Sequence, residues 1–283
     1  MTQRERNWLL VAPAGAWFLV MLVLPLSVVF VFSFGERGPA GGYVPAFTFE
    51  QYANLPARLT AFKNTLILAP LGTLAALLIA YPLAYQLAVR TDPKWKTILL
   101  VLVIVPFWTS ILIRSYAWIF ILGGRGLPAL LEAASIEGVR LIYTPFAVLV
   151  GIVYGYLPLM VFPIYVSLDR LDKRLLEASS DLGARPFTTF LKVTLPLSIP
   201  GVATGCLLVF ILLMGEFLIP ALLGGGKVFF VGNALVDLFL QSRNWAFGSA
   251  VAFTLILIML VTVTIYMRLI ARLNAGREDV SIM

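Results

Sequence analysis

Glu177-Ala178-Ser179-Ser180-Asp181-Leu182-Gly183-Ala184 sets two carboxylates, two hydroxyls and a glycine inside an otherwise oily chain. These acids have no obvious partner for catalysis. The sequence contains no histidine and a single cysteine, Cys206, which removes the commonest general base and metal ligand and any disulfide within the chain. Neither catalysis, a metal site nor a bound cofactor is therefore expected. A mixed polar and greasy segment of this kind is suited to docking against another protein.

The surrounding residues show how the segment is built. Leu171, Leu175, Leu176, Ala178 and Leu182 recur at helical spacing, so an amphipathic helix is expected from about Leu168. Gly183 closes it, because glycine accepts the left-handed conformation that ends a helix. Pro186 opens a second short helix whose apolar face carries Phe187, Phe190, Leu191 and Val193, and Pro196 is expected to stop it. The product is a helix-turn-helix elbow over about 169–197.

The elbow resembles the cytoplasmic signature loop of permease subunits of binding-protein-dependent ABC importers. That pattern is Glu-Ala-Ala, three residues, Gly, nine residues, an aliphatic residue, one residue, then Leu-Pro. Here it is met by Glu177-Ala178-Ser179, Gly183 and Val193-Thr194-Leu195-Pro196, with Ser179 replacing the second alanine. The resemblance implies that Glu177, Ala178, Asp181, Leu182, Gly183, Ala184, Phe187 and Phe190 couple the chain to a separate ATPase, which hydrolyses the ATP. The alternative is an interfacial hairpin with no partner. Gly224-Gly225-Gly226-Lys227 offers no nucleotide site of the chain's own: Val228 stands where a phosphate loop needs Ser or Thr, and Ala221 where it needs its first glycine.

Composition agrees with a membrane setting. The chain is 60% hydrophobic and 12% charged, against about 25% charged in soluble proteins. Apolar spans are expected at about 8–34, 64–88, 97–122, 144–168, 198–223 and 249–270, each reaching the roughly 20 residues that a bilayer core requires. The first is preferred as a retained helix over a signal peptide, being longer than a signal core and lacking a clear small-residue cleavage site. Among the connections, thirteen Lys and Arg fall on the side of the termini, the Arg90–Lys96 link and the elbow, and seven on the other. The richer side is cytoplasmic, so both termini and the elbow are expected to face the cytosol of a cell whose inner membrane holds the chain. This asymmetry accounts for the net charge of +7 without nucleic acid. Thr48 is expected to cap a short helix in the first outer loop.

Two charges stand out inside the membrane. Arg114 in the third and Glu216 in the fifth come out at similar depth when counted along straight helices, so they read either as a structural ion pair or as a polar place in a translocation path. Trp108, Tyr154 and Tyr156 lie near that depth, where ring faces attract ammonium groups. The bilayer-interface preference of aromatic residues is the competing account, most of all for Tyr116 and Trp118.

Pro106-Phe107-Trp108-Thr109-Ser110, Arg114-Ser115-Tyr116-Ala117-Trp118 and Met214-Gly215-Glu216-Phe217-Leu218-Ile219-Pro220 resemble the permease branch that serves spermidine and putrescine. The resemblance implies an all-α, type I importer permease of six transmembrane helices, forming one transmembrane domain over 1–283. It further implies a substrate pathway past Trp108, Arg114, Tyr154, Tyr156 and Glu216. The implied partners are two ATPase copies, a second and paralogous permease, and a substrate-binding protein, within membrane lipid. An opine or amino-acid derivative is the alternative substrate, and a stand-alone secondary transporter or channel the alternative class.

Overall fold

The computed structural model describes residues 3–278. The chain ends that the charge count assigns to the cytosol, 1–2 and 279–283, lie outside the described residues. Helices follow one another along the chain with one small hairpin: α1 (Gln3–Phe32), β1 (Glu36–Arg37), β2 (Tyr43–Val44), α2 (Glu50–Ala53), α3 (Leu59–Tyr85), α4 (Pro93–Trp108), α5 (Ile111–Leu122), α6 (Leu127–Ala133), α7 (Pro145–Asp169), α8 (Lys173–Asp181), α9 (Pro186–Thr189), α10 (Leu195–Met214), α11 (Leu218–Leu223), α12 (Val231–Val236) and α13 (Trp245–Glu278). Wider π turns extend α3 (Gln86–Arg90) and α12 (Asp237–Gln241) and join α9 to α10 (Phe190–Thr194).

Among the described residues, five segments are long and apolar enough to cross a membrane: Val11–Phe32, Leu55–Arg90, Pro145–Asp169, Pro186–Met214 and Trp245–Arg272. A bent pair, Pro93–Trp108 with Ile111–Ala133, turns by 90° and is a sixth when taken as one span. All-helical architecture with six spans is thus as the composition predicts.

Several boundaries differ from the sequence expectation, each for a local reason. The third span is not one helix over 97–122. Thr109 and Ser110 are extended, at φ/ψ of −76/149° and −56/134°, and the Thr109 hydroxyl donates to the Pro106 carbonyl at 2.7 Å, so side-chain chemistry breaks a run that hydropathy reads as unbroken. The fifth span does not run to 223, because α10 ends at Gly215 and α11 is separate. Nor does Pro196 stop the elbow's second helix. The Leu195 amide reaches back five residues to Phe190 O, and the widened turn delivers the chain into α10 with Pro196 in its first turn, where the missing N–H costs nothing. The first elbow helix starts later than Leu168: α7 closes at Asp169, and Asp172 then caps α8 by accepting from the Arg174 amide at 3.0 Å. Between the fifth and sixth expected spans, the stretch 224–248 contains α12 and its π turn.

The chain divides into two compact units, 1–59 with 234–261 and 60–233 with 262–283. In the first, Phe30 packs against Phe253 at 5.1 Å between ring centroids, Arg58 pairs with Asp237 at 2.7 Å, and the Glu50 amide donates to the Thr48 hydroxyl at 3.1 Å. In the second, α7 is the centre. Ala147, Val148, Ile152, Met160, Val161 and Ile164 are fully or nearly fully buried along it. At Gly151 a Cβ would stand 2.4 Å from Leu223 Cδ1 and 2.9 Å from Ile219 Cγ2, so the missing side chain is what lets α11 lie against α7. The Thr144 hydroxyl accepts from the Ala147 amide at 3.2 Å and starts α7 beside Pro145.

Candidate functional site

The elbow is built as its residues dictate. Gly183 has φ +75°, and the turn is closed by the Gly183 amide on Ser180 O at 2.9 Å and the Ala184 amide on Ser179 O at 3.1 Å. Across the turn, Ser179 Oγ and Thr189 Oγ1 share a hydrogen bond of 2.8 Å that ties α8 to α9. The serine that replaces an alanine in the signature pattern thus acquires a structural bond. Glu177, Ala178, Asp181, Leu182, Gly183 and Phe187 are exposed, Leu182 at 88% and Phe187 at 70%, while Ala184 is half-buried. Leu182 and Phe187 thus leave apolar surface open beside the exposed carboxylates of Glu177 and Asp181. Phe190 turns the other way. Its ring stands edge-on to Tyr81 at 5.6 Å and to Tyr85 at 6.4 Å, and Tyr81 bonds Ser198 at 2.8 Å, so Phe190 fastens the elbow to the bundle. Lys96 bonds Asp169 and the Ala88 carbonyl, each at 2.7 Å, which brings the Arg90–Lys96 link to the same end of this unit as the elbow.

At the other end of the unit a polar cluster occupies the break between α10 and α11. Glu216 is only 6% exposed. One carboxylate oxygen accepts from the amides of Phe217, Leu218 and Ile219 at 2.9, 2.8 and 3.2 Å, and the other accepts from the Tyr156 hydroxyl. The Arg114–Glu216 ion pair is not formed. Arg114 instead donates from Nη1 to the Gly155 carbonyl at 3.3 Å, and its Nε is buried with no partner. Two facts explain the difference. The depth count assumed straight helices, whereas Arg114 lies beyond the α4–α5 break, and the chain break after Gly215 presents unpaired amides to the nearest acceptor, the side chain of Glu216.

The other expected pathway residues divide. Tyr154 stands edge-on to Trp118 at 5.6 Å and is 39% exposed. Trp108, the last residue of α4, is 78% exposed and makes no ring or hydrogen-bond contact with this cluster among the described residues. Sequence reasoning missed Asn233, Thr65 and Asn64. Asn233 donates to Phe217 O at 2.6 Å and accepts from the Phe230 amide at 3.1 Å; Thr65 accepts from the Val231 amide at 2.9 Å; Asn64 donates to Phe229 O at 3.1 Å. A lone asparagine in the apolar run Val228–Val236 was the available signal.

Apolar spans interrupted by a positive-φ elbow that exposes Glu177, Asp181 and the Phe187 ring have the features expected of a permease of an ATP-driven importer. The chain belongs to the family described as the inner membrane component of binding-protein-dependent transport systems, whose model matches residues 72–278. It is an inner-membrane, multi-pass protein, and this membership sets aside the stand-alone transporter alternative. It is 40% identical over 273 residues to the spermidine/putrescine transport system permease protein PotB of Haemophilus influenzae, covering 95% of each chain. It is 39% identical over 267 residues to PotB of Escherichia coli, covering 93% of this chain and 97% of the relative. In fold it matches a bacterial ABC transporter for the acidic polysaccharide alginate, with a TM-score of 0.73 at 18% identity over 95% of this chain and 96% of that one. The alginate transporter in complex with its pentasaccharide-bound periplasmic protein gives 0.75 at 18% identity and 93% coverage of each chain.

Proposed function

We propose that this chain is the permease subunit of a polyamine importer, passing spermidine, putrescine or a similar small organic cation inward. The observation that carries the transport mechanism is the elbow: a turn fixed by Gly183 at φ +75°, tied across by Ser179 and Thr189, with Glu177, Asp181, Leu182 and Phe187 open to a partner. On this reading the partner is an ATPase present in two copies, which binds and hydrolyses the ATP while this chain holds no cofactor. A second, paralogous permease completes the pore, and a substrate-binding protein delivers the cation. The choice of polyamine rests on the identity to the two PotB relatives along nearly the whole of each chain.

Trp108, Arg114, Tyr154, Tyr156 and Glu216 border the proposed route. The exposed rings of Trp108 and Tyr154 are its cation-attracting faces. Glu216 acts through α11, whose first turn its carboxylate holds. The test is to purify the assembled complex, identify its co-purifying subunits and the ligand of its binding protein, and measure ATP-driven accumulation of labelled spermidine and putrescine in proteoliposomes. Accumulation of an opine or amino-acid derivative in their place overturns the substrate assignment and leaves the importer reading standing.

The charge asymmetry adds an expected topology, with both termini cytoplasmic. Single cysteines in the Arg90–Lys96 link or beside Arg174 should resist an impermeant thiol reagent applied to intact spheroplasts, and one beside Gly41 should react. The reverse pattern inverts the chain and removes the elbow from the ATPase's side.

A further inference from the structure

From Gly38 through Phe49 the connection between α1 and α2 carries no charged residue, an unusual composition for a loop bathed in water. Its two phenylalanines are the more exposed for it: Phe47 is 80% and Phe49 63% accessible. Neither ring is loose. Phe47 stacks on Phe34 at 5.3 Å with 18° between planes, Phe49 meets Phe34 edge-on at 5.4 Å, and the two outer rings touch each other edge-on at 5.7 Å.

A polar frame holds this cluster to the end of α1. The Thr48 amide donates to Phe34 O at 2.8 Å. Gln51, itself buried, donates to Gly35 O at 3.2 Å. The Tyr52 hydroxyl donates to Ser33 Oγ at 2.7 Å, and Ser33 in turn donates to Phe30 O at 2.6 Å. The rings are therefore presented in a fixed orientation, and their exposure costs the free protein apolar surface that no neighbour within this unit covers.

The position of the cluster selects its partner. Phe34 lies two residues beyond the apolar span Val11–Phe32, whose side chains are themselves exposed along most of its length. The exposed surface of α1 stops at Val31, Ser33 and Gly35 are buried and Phe34 half-buried, and the exposed rings of Phe47 and Phe49 resume the apolar surface just past the end of the span. Phenylalanine is among the residues that interfacial segments bury at the headgroup–acyl boundary, and the stretch Val44–Phe49 that carries the two outer rings brings no charge there, while the exposed Glu36, Arg37 and Glu50 and the loop about Gly41 stay on its aqueous side.

We infer that Phe34, Phe47 and Phe49 form a membrane-interface anchor, a rigid aromatic wedge seated in the headgroup–acyl boundary at the C-terminal end of α1. It fixes the depth of the first span and the angle at which the following loop leaves the bilayer.

The test uses the complete transporter in nanodiscs of phosphatidylethanolamine and phosphatidylglycerol, in a background free of other cysteines with Cys206→Ser. An environment-sensitive fluorophore is attached at Phe47→Cys, and in a second variant at Ala46→Cys, which retains all three rings. The expected result at Ala46→Cys is blue-shifted emission, quenched several-fold more strongly by a nitroxide lipid carrying its spin label near the headgroup than by iodide in solution. Water-like emission quenched chiefly by iodide at Ala46→Cys overturns the anchor, whatever Phe47→Cys reports. Shielding of that label only after liganded binding protein is added also overturns it, since the rings would then be a protein-docking surface. Membrane-like emission at Ala46→Cys with water-like emission at Phe47→Cys supports the anchor and shows that Phe47 itself holds the loop down.

Discussion

Replacing Gly183 with valine is expected to cut substrate uptake by more than about tenfold while the chain still inserts and folds. The reason is confined to one dihedral. Gly183 sits at φ +75°, and a Cβ placed there meets nothing within 4 Å, so no neighbour resists the substitution and the whole cost lies in the residue's own backbone. For a β-branched residue that cost is about 1–3 kcal/mol, which corresponds to roughly one to two powers of ten in the population of the native turn. Relief requires rotation at the turn, which swings α9 relative to α8 and pulls apart the 2.8 Å Ser179–Thr189 bond. Gly183→Asn is the control, since asparagine tolerates the left-handed region; it should keep much of the activity. Uptake, ATPase co-purification and substrate-stimulated hydrolysis together make the measurement. Full uptake in the valine variant would mean that the turn is not the coupling element.

Glu216→Ala is expected to lower both the yield of assembled complex and its thermal midpoint, because the damage is structural. Three amides lose their acceptor and the Tyr156 hydroxyl loses its own. Buried donors left unpaired cost about 1–3 kcal/mol each, so the variant stands to lose several kcal/mol on that scale and the first turn of α11 frays. Glu216→Gln behaves differently. Its remaining carbonyl oxygen can still receive the three amides, and its NH₂ can donate to the Tyr156 oxygen, reversing that bond's direction. Assembly should therefore be retained, and uptake should fall only in part as a neutral acceptor replaces a charged one. Tyr156→Phe should be milder still. Fluorescence-detected size exclusion after heating, measured beside uptake, separates the outcomes. Abolished uptake at full yield in the glutamine variant would place the carboxylate in direct contact with the substrate, and normal assembly of the alanine variant would remove its capping role.

What could be read in advance was governed by the range over which each signal acts. Gly183 and Pro186 announce the turn and the helix start within three or four residues, and the structure places both as read; the Thr144 cap was as local a signal. The break at Thr109–Ser110 was equally local, but the apolar run on either side hid it, since hydropathy measures side chains and is blind to the backbone. Pro106 with hydroxyl residues three and four positions on, Thr109 and Ser110, was the sign to weigh. Glu216 required knowledge of where α10 ends. Once Gly215 terminates that helix, a carboxylate next door finds amides at 2.8–3.2 Å and the Tyr156 hydroxyl, and Arg114 bonds the Gly155 carbonyl instead. Phe190 belonged by spacing to the outward face of a short helix, yet the π turn that starts there rotates it onto Tyr81 and Tyr85. Asn233 reaches sixteen residues back to Phe217, a distance over which no periodicity speaks.

The π turn at Phe190–Thr194 has a mechanical meaning. Because it widens the helix and does not interrupt it, Pro186–Met214 is a single beam of 29 residues, roughly 43 Å long at the rise of an α-helix. One end lies just past Gly183 and carries Phe187, and the other stops one residue short of the Gly215 break and the carboxylate behind it. A tilt of roughly 5° about the near end displaces the far end by about 4 Å, on the scale of a single turn. On the proposed coupling such a tilt would carry movement of the elbow to the Gly215 break, with the π turn and Pro200 as the places along the beam where it can bend.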